Sequence, residues 1–254
     1  MTARTINEQS TIAIFGATGG IGSLLARSLS EDGHTLALAS RTEENLSKLA
    51  DELDADHTAL NAAEGDAVDA FLHETRERHG RLDGVVNCIG SVLIKPAHLT
   101  SDDEWLDTLT RNLTTSFNIV RSAAKLMQKQ QGGSIVLMSS AAARVGLPSH
   151  EAIAAAKAGV IGLTLSAAAS YASRGVRINC VAPGLVRTNA TKAITSSEAS
   201  LKASTAMHPL GRVGEPEDIV PAIRWLLGPE SSWVTGQCIG ADGGLGTIRP
   251  RGGA

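Results

Sequence analysis

The residues best placed to do chemistry near the start of the chain are glycines. Gly16, Gly19, Gly20 and Gly22 follow the run Ile12-Ala13-Ile14-Phe15 and precede Leu24, Leu25 and Leu29. The apolar run of β-formers reads as a strand covered on both faces, and the leucine spacing as a helix. A glycine turn that feeds a helix N-terminus is an anion site, because its N–H groups point outward and the helix dipole favours phosphate. Glycine permits both the sharp turn and the close approach of a pyrophosphate. The order is G-x-x-x-G-x-G rather than G-x-G-x-x-G. Its strand-turn-helix context predicts dinucleotide binding. Ser40 and Arg41 follow the second expected strand. An acidic residue at that point would hold the adenosine ribose hydroxyls. None is present, and an arginine there suits a 2′-phosphate, so NADP(H) is expected over NAD(H).

The elements that must position these residues alternate along the chain. Strands are predicted at 11–15, 35–40, 57–60, 84–88, 134–139, 176–181 and 237–240. Helices are predicted near 20–32, 42–53, 65–79, 102–130, 151–173, 191–204 and 216–228. Such alternation gives a doubly wound, Rossmann-type α/β sandwich of three layers around a parallel seven-stranded sheet. Ligands then bind beyond the carboxyl ends of the strands. The residues found there are Asn87-Cys88-Ile89-Gly90, Ser139-Ser140 and Pro183-Gly184, with Lys157 on the long helix after Ser140.

The 254 residues, 43% hydrophobic and 19% charged, suit one domain over 1–254 with a full core. A net charge of -3 and a pI near 6.2 give no electrostatic case for nucleic acid or an anionic membrane as partner. Cys88, Cys180 and Cys238 form no CxxC pair, lie in or beside predicted strands, and read as buried thiols of a cytoplasmic protein. No metal is expected. No apolar signal segment is visible at the N-terminus. The alanine-rich stretch 152–169 reads as a packed helix, not a membrane span. Residues 249–254 read as a loose tail.

Taken together, these segments resemble the short-chain dehydrogenase/reductase family in its single-domain form, nearly end to end. Phe15-Gly16 through Gly22 resembles the family's T-G-x-x-x-G-x-G, with Phe15 at the threonine; this implies cofactor contacts from Gly16, Thr18, Gly19, Gly20, Ile21 and Gly22. Asn87-Cys88-Ile89-Gly90 is similar to N-N-A-G. Asn61 stands where the family often has an aspartate beside the adenine. Pro183-Gly184, Val186 and Thr188 resemble the P-G-x-x-x-T segment that meets the nicotinamide and its phosphate. Gly211 to Pro216 and Asp242-Gly243-Gly244 resemble the C-terminal signatures. The resemblance implies a catalytic asparagine at Asn112, a catalytic serine at Ser140 and the ribose-holding lysine at Lys157. It also implies a substrate lid at about 187–211 and a homotetramer (or dimer) whose long helices pack between subunits.

One position departs from the family. Its Y-x-x-x-K places the general acid four residues before the lysine, and here that residue is Ile153. Isoleucine cannot transfer a proton. The only tyrosine, Tyr171, lies further along the same predicted helix, roughly 27 Å from Ile153 at helical rise. His150, seven residues before Lys157, is a speculative replacement acid at the helix start. The expected activity is an NADP(H)-dependent oxidoreductase acting on a small carbonyl or alcohol. Two alternatives are a non-catalytic NADP(H)-binding sensor or assembly protein, and an enzyme reducing an activated C=C or C=N bond.

Overall fold

The computed structural model describes residues 10–248. The N-terminal segment and the tail at 249–254 lie outside the described residues. The strands are β1 (Thr11–Phe15), β2 (Thr35–Ser40), β3 (Asp56–Ala59), β4 (Gly84–Asn87), β5 (Gly133–Met138), β6 (Val176–Pro183) and β7 (Cys238–Ala241). The helices are α1 (Gly20–Glu31), α2 (Glu43–Leu53), α3 (Gly65–His79), α4 (Asp102–Leu109), α5 (Thr115–Gln130), α6 (Glu151–Tyr171), α7 (Lys192–Thr195), α8 (Glu198–Met207) and α9 (Pro216–Leu227). Among the described residues the strands form one sheet in the order β3-β2-β1-β4-β5-β6-β7, and every pairing is parallel. The expected doubly wound, three-layer Rossmann-type sandwich is what the chain adopts.

Side-chain alternation along the interior strand β1 explains the two helical layers. Ala13 and Phe15 of β1 face the core shared with α3, α5 and α6, where Phe15 meets Phe71 edge-on at 5.3 Å between ring centres. Ile12 and Ile14 face the other core, built from α1, α2 and α9. The whole of β6 is buried, since it has a strand on each side and helices on both faces.

Two predicted helices are interrupted. The stretch 102–130 contains a π-helical turn, Thr110–Thr114, between α4 and α5. The stretch 191–204 is broken into α7 and α8, with Ser197 accepting a hydrogen bond from the Ser200 amide at the start of α8. Ser and Thr side chains that bond local backbone end one helix and begin the next. The helix α6 has the length and apolarity of a membrane span, but it packs on β6, α4 and α5.

Candidate active site

The carboxyl ends of β1, β2 and β4 open onto a cleft of about 360 Å³. Its floor is the glycine turn. Gly16 takes φ +74°, and its amide donates to Ala39 O at 2.8 Å, so the chain leaves β1 in a conformation that suits glycine. A Cβ on Gly22 would run into the carbonyl oxygen of Gly16, so the first turn of α1 can sit tight against the loop only with glycine there. Gly19 caps α1 without any side-chain hydrogen bond. The Gly19 residue lines the cleft, and the uncapped helix start leaves donors for an anion. This backbone cradle fits the pyrophosphate of a dinucleotide.

Further along the cleft, Thr18 and Ser40 share a hydrogen bond of 2.7 Å between hydroxyls. Arg41 is exposed on the lining and forms no ion pair among the described residues. Asn61 sits at the rim, where its side chain is used locally: Nδ2 donates to Glu64 at 3.1 Å and Oδ1 accepts from the Ala63 amide. The sequence reading did not single out Asp107 and Arg111, which also line the cleft and pair with each other at 2.7 Å. Arg111 lies in the π turn and Asp107 in α4 just before it, and no residue pattern announces that turn.

The π turn carries Asn112. Its side chain is fully buried, with Nδ2 donating to Ser91 Oγ and to Thr108 O, both at 2.9 Å, and Oδ1 accepting from the Ser91 amide at 3.1 Å. Single π turns inside α-helices often mark functional sites. Asn87 donates to Ser116 Oγ at 3.0 Å and accepts from the Ile89 amide, which fixes the β4 exit. A Cβ on Gly90 would stand 3.4 Å from both Asn112 Oδ1 and Lys157 Nζ, so this glycine, Asn112 and Lys157 converge.

Lys157 is 6% exposed and donates to Met138 O at 2.8 Å. Burial pushes its ammonium down to about 8. Ser139 Oγ donates to Lys157 O, which ties α6 to the end of β5. Ser140 Oγ accepts from the Ala142 amide at 3.2 Å. Ile153 is 4% exposed on α6, one turn before Lys157. His150 is the residue immediately before α6, and its Nδ1 bonds Pro148 O at 2.7 Å. No bond from His150 to Ser140 or Lys157 is formed among the described residues.

The segment after β6 reaches back over the glycine turn. Pro183 ends β6 beside Ala241. The Gly184 amide donates to Ala241 O at 3.3 Å. Val186 is buried and bridges to Gly214. Thr188 lies against Gly20, where an added Cβ would meet Thr188 Cγ2 at 3.1 Å. Gly20 and Thr188 are therefore in contact at the start of α1, and Ile21, the next residue, is half-buried. Sequence reading missed His208. It is buried, bonds Ser204 O through Nδ1, and accepts the Leu185 amide on Nε2 at 3.1 Å. This ties the end of α8 to the segment that follows β6.

Comparison with known proteins agrees with this geometry. Residues 16–246 match the family model described as Enoyl-(Acyl carrier protein) reductase. The chain is 34% identical over 243 residues to the 3-oxoacyl-[acyl-carrier-protein] reductase FabG of Thermotoga maritima, covering 94% of this chain and 98% of that one. A short-chain type dehydrogenase/reductase from Mycobacterium ulcerans superposes with a TM-score of 0.89 at 30% identity, covering 95% of this chain and 91% of the other. ElxO, solved with NADP bound, gives a TM-score of 0.87 at 28% identity, covering 93% and 98%. The parallel sheet, the glycine cradle and these matches make the chain a member of the short-chain dehydrogenase/reductase family of oxidoreductases.

Proposed function

We propose that this protein is an NADP(H)-dependent oxidoreductase acting on a small carbonyl or alcohol, with Ile153 where the family places its proton-transferring tyrosine. The observation that carries the cofactor preference is Arg41, exposed in the cleft at the end of β2 and in no ion pair among the described residues. The guanidinium matches a 2′-phosphate through charge-assisted bonds, and Ser40-Arg41 directly after β2 offers no acid to hold a free ribose hydroxyl. A relative in the fold, ElxO, was solved with NADP. The cofactor, when bound, supplies or accepts the hydride.

The chain's own residues bind, orient and exclude water. The start of α1 and the turn Gly16, Thr18, Gly19, Gly20, Ile21 and Gly22 receive the pyrophosphate. Ser40 and Arg41 receive the adenosine ribose phosphate, with Asn61 at the adenine edge. Lys157, held between Met138 O and the Gly90–Asn112 wall, faces the second ribose. Asn87, Gly90, Pro183, Gly184, Val186 and Thr188 frame the nicotinamide end. Ser140 orients the substrate oxygen. The segment 187–211 forms the substrate lid, closing over the cleft to exclude water. With Ile153 unable to carry a proton, His150, immediately before α6, is the imidazole proposed to take that role. The relatives named as 3-oxoacyl reductases make β-keto carbonyls the first substrate class to assay. The whole chain is one catalytic domain in this reading, and the three thiols suit a cytoplasmic setting. A homotetramer is supported by the exposed apolar side chains of Trp105, Leu106, Phe117 and Leu165 on α4, α5 and α6.

A second reading is favoured by the buried Ile153 itself: an NADP(H)-binding sensor or assembly protein that retains the cradle and has lost the acid. Titration of NADPH and NADH into wild type and Arg41→Ala, with turnover followed on a ketone panel, tests both. The oxidoreductase reading expects tighter NADPH binding that Arg41→Ala abolishes, together with measurable turnover. Equal affinity for the two cofactors in wild type overturns the preference. Tight NADPH binding without turnover on the panel selects the sensor.

A further inference from the structure

Cys180 and Cys238 lie far apart in the chain but are Cα partners in the parallel ladder between β6 and β7. Ladder partners project their side chains to the same face, and both thiols lie against the core layer of α5 and α6. The two thiols are close enough to interact and shift each other's titration in opposite directions. Neighbouring strands run roughly 4.8 Å apart, inside the Cα spacing of about 4.4–6.8 Å that a disulfide spans. The two differ in access, since Cys180 is fully buried and Cys238 is partly exposed.

A cation lies alongside. The Arg144 guanidinium rests where a Cβ on Gly240 would be, on the face of β7 that carries Cys238, and pairs with Asp242 at 3.9 Å. The interaction with Cys180, and then the Arg144 charge, lower the Cys238 thiol below its usual range. The same interaction, together with burial, raises Cys180. A partly exposed, cation-assisted thiol beside a buried one is the arrangement of an attacking and a resolving cysteine. Neither residue has a role in the reaction proposed above. The third cysteine, Cys88, is pushed up to about 12 by burial and has no thiol partner among the described residues.

We propose that Cys238 and Cys180 form a reversible dithiol site that reacts with hydroperoxides, Cys238 first and Cys180 second. The Cys238 thiolate attacks the terminal peroxide oxygen, the O–O bond breaks, and the leaving alkoxide (hydroxide for hydrogen peroxide) takes the proton the thiol gave up. Cys238 is then a sulfenic acid. The Cys180 sulfur attacks Cys238 Sγ, and the sulfenic oxygen leaves as water with the Cys180 proton. Two thiols are oxidised to one disulfide, and the peroxide is reduced to an alcohol or water plus one further water. The bond clamps β7, an edge strand paired only with β6, onto the sheet.

The test exposes the purified full-length protein to one equivalent of hydrogen peroxide, followed by alkylation in denaturant and intact and peptide mass spectrometry. The proposal expects two of the three cysteines to escape alkylation, a Cys180–Cys238 linked peptide, a free Cys88, and complete reversal by dithiothreitol. The oxidised protein also melts at a higher temperature, and reductant removes the increment. Cys88→Ser retains the link. Cys180→Ser leaves a sulfenic acid on Cys238 that dimedone captures, and Cys238→Ser slows the peroxide reaction at least tenfold. Three alkylatable thiols after peroxide, a link through Cys88 or between two chains, or Cys238 oxidised to sulfinic acid without a link would each overturn the site. The wild-type peptide map decides the question even where Cys180→Ser does not fold.

Discussion

Placing a tyrosine at position 153 is the most direct perturbation of the reaction centre. Ile153 is buried one turn before Lys157, whose Nζ is held at 2.8 Å by Met138 O. Burial brings that ammonium down to about 8, so it is still charged at neutral pH. A positive charge nearby favours tyrosinate and brings a phenol below its ordinary value of roughly 10. A positioned general acid contributes about 10²–10⁴-fold, or about 3–5 kcal/mol of barrier. Against this, a larger side chain in a packed position costs about 1–3 kcal/mol of fold stability. For a chain of this size that lowers the melting temperature by roughly 2–4 °C per kcal/mol. The stability cost does not enter the barrier while the protein stays folded. Ile153→Tyr is therefore expected to raise kcat/KM for NADPH-dependent reduction of small ketones or diketones by ~10²-fold or more, in spite of a lower melting temperature. Ile153→Phe carries the ring without the hydroxyl and isolates the packing effect, so it is expected to stay at the wild-type rate. Equal rates in the Tyr and Phe variants, both folded and both binding cofactor, refute the reasoning that position 153 is the place of the acid.

Other measurements follow from the same geometry. His150→Ala is expected to lower wild-type turnover by ~10²-fold; undiminished turnover takes the histidine out of the mechanism and leaves Ser140 or water as the donor. Gly22→Ala forces a Cβ into Gly16 O, so cofactor affinity should fall at least tenfold in fluorescence titration, with a lower melting temperature; an unchanged affinity would show that the turn does not hold the pyrophosphate. Lys157 titrates near 8 in the folded chain against 10.5 unfolded, so between those values the unfolded chain holds the proton and the folded chain does not. Cofactor-free stability from this group therefore rises with pH across that window, by about 3 kcal/mol in all, and the slope should disappear in Lys157→Met denaturation curves. Light scattering at micromolar concentration should report a homotetramer, and a monomer would remove the role given to the exposed side chains of α4, α5 and α6.

Much of the fold was legible because its signals are local. The run Ile12 to Phe15, the four glycines and the leucines of α1 each act through near neighbours, and the structure places β1 and α1 within a residue of the reading. The gaps have physical causes. The π turn at Thr110–Thr114 leaves no mark in an apolar pattern that continues through it, so 102–130 read as one helix. The break between α7 and α8 depends on whether Ser197 bonds the backbone or the solvent, and residue type alone does not decide that. At the site, the glycines, Arg41 and Lys157 were visible as types at fixed offsets from strand ends. The bond from Ser91 to Asn112, the Arg111–Asp107 pair on the cleft wall and the contact of His208 with the Leu185 amide depend on chain segments meeting in space. The pairing of Cys180 with Cys238 is of the same kind, because it depends on the register of β6 against β7.

The strand order also shapes the succession in which the sheet assembles during synthesis. Among the described strands the first to emerge is β1, an interior strand with two strands on one side and four on the other. Next come β2 and β3, each laid beside the strand made just before it, to complete one wing. The chain must then return across β1 to place β4 on its other side, and this is the long-range step whose closure entropy slows folding. Asp83 fastens that return: its carboxylate accepts the Thr11 amide at 3.0 Å from 72 residues away, at the foot of both strands. From there β5, β6 and β7 are added outward in the order of translation, each against the newest edge. A chain truncated before β7 would lack only the last strand laid, whereas trimming into β1 would remove the strand on which both wings are built.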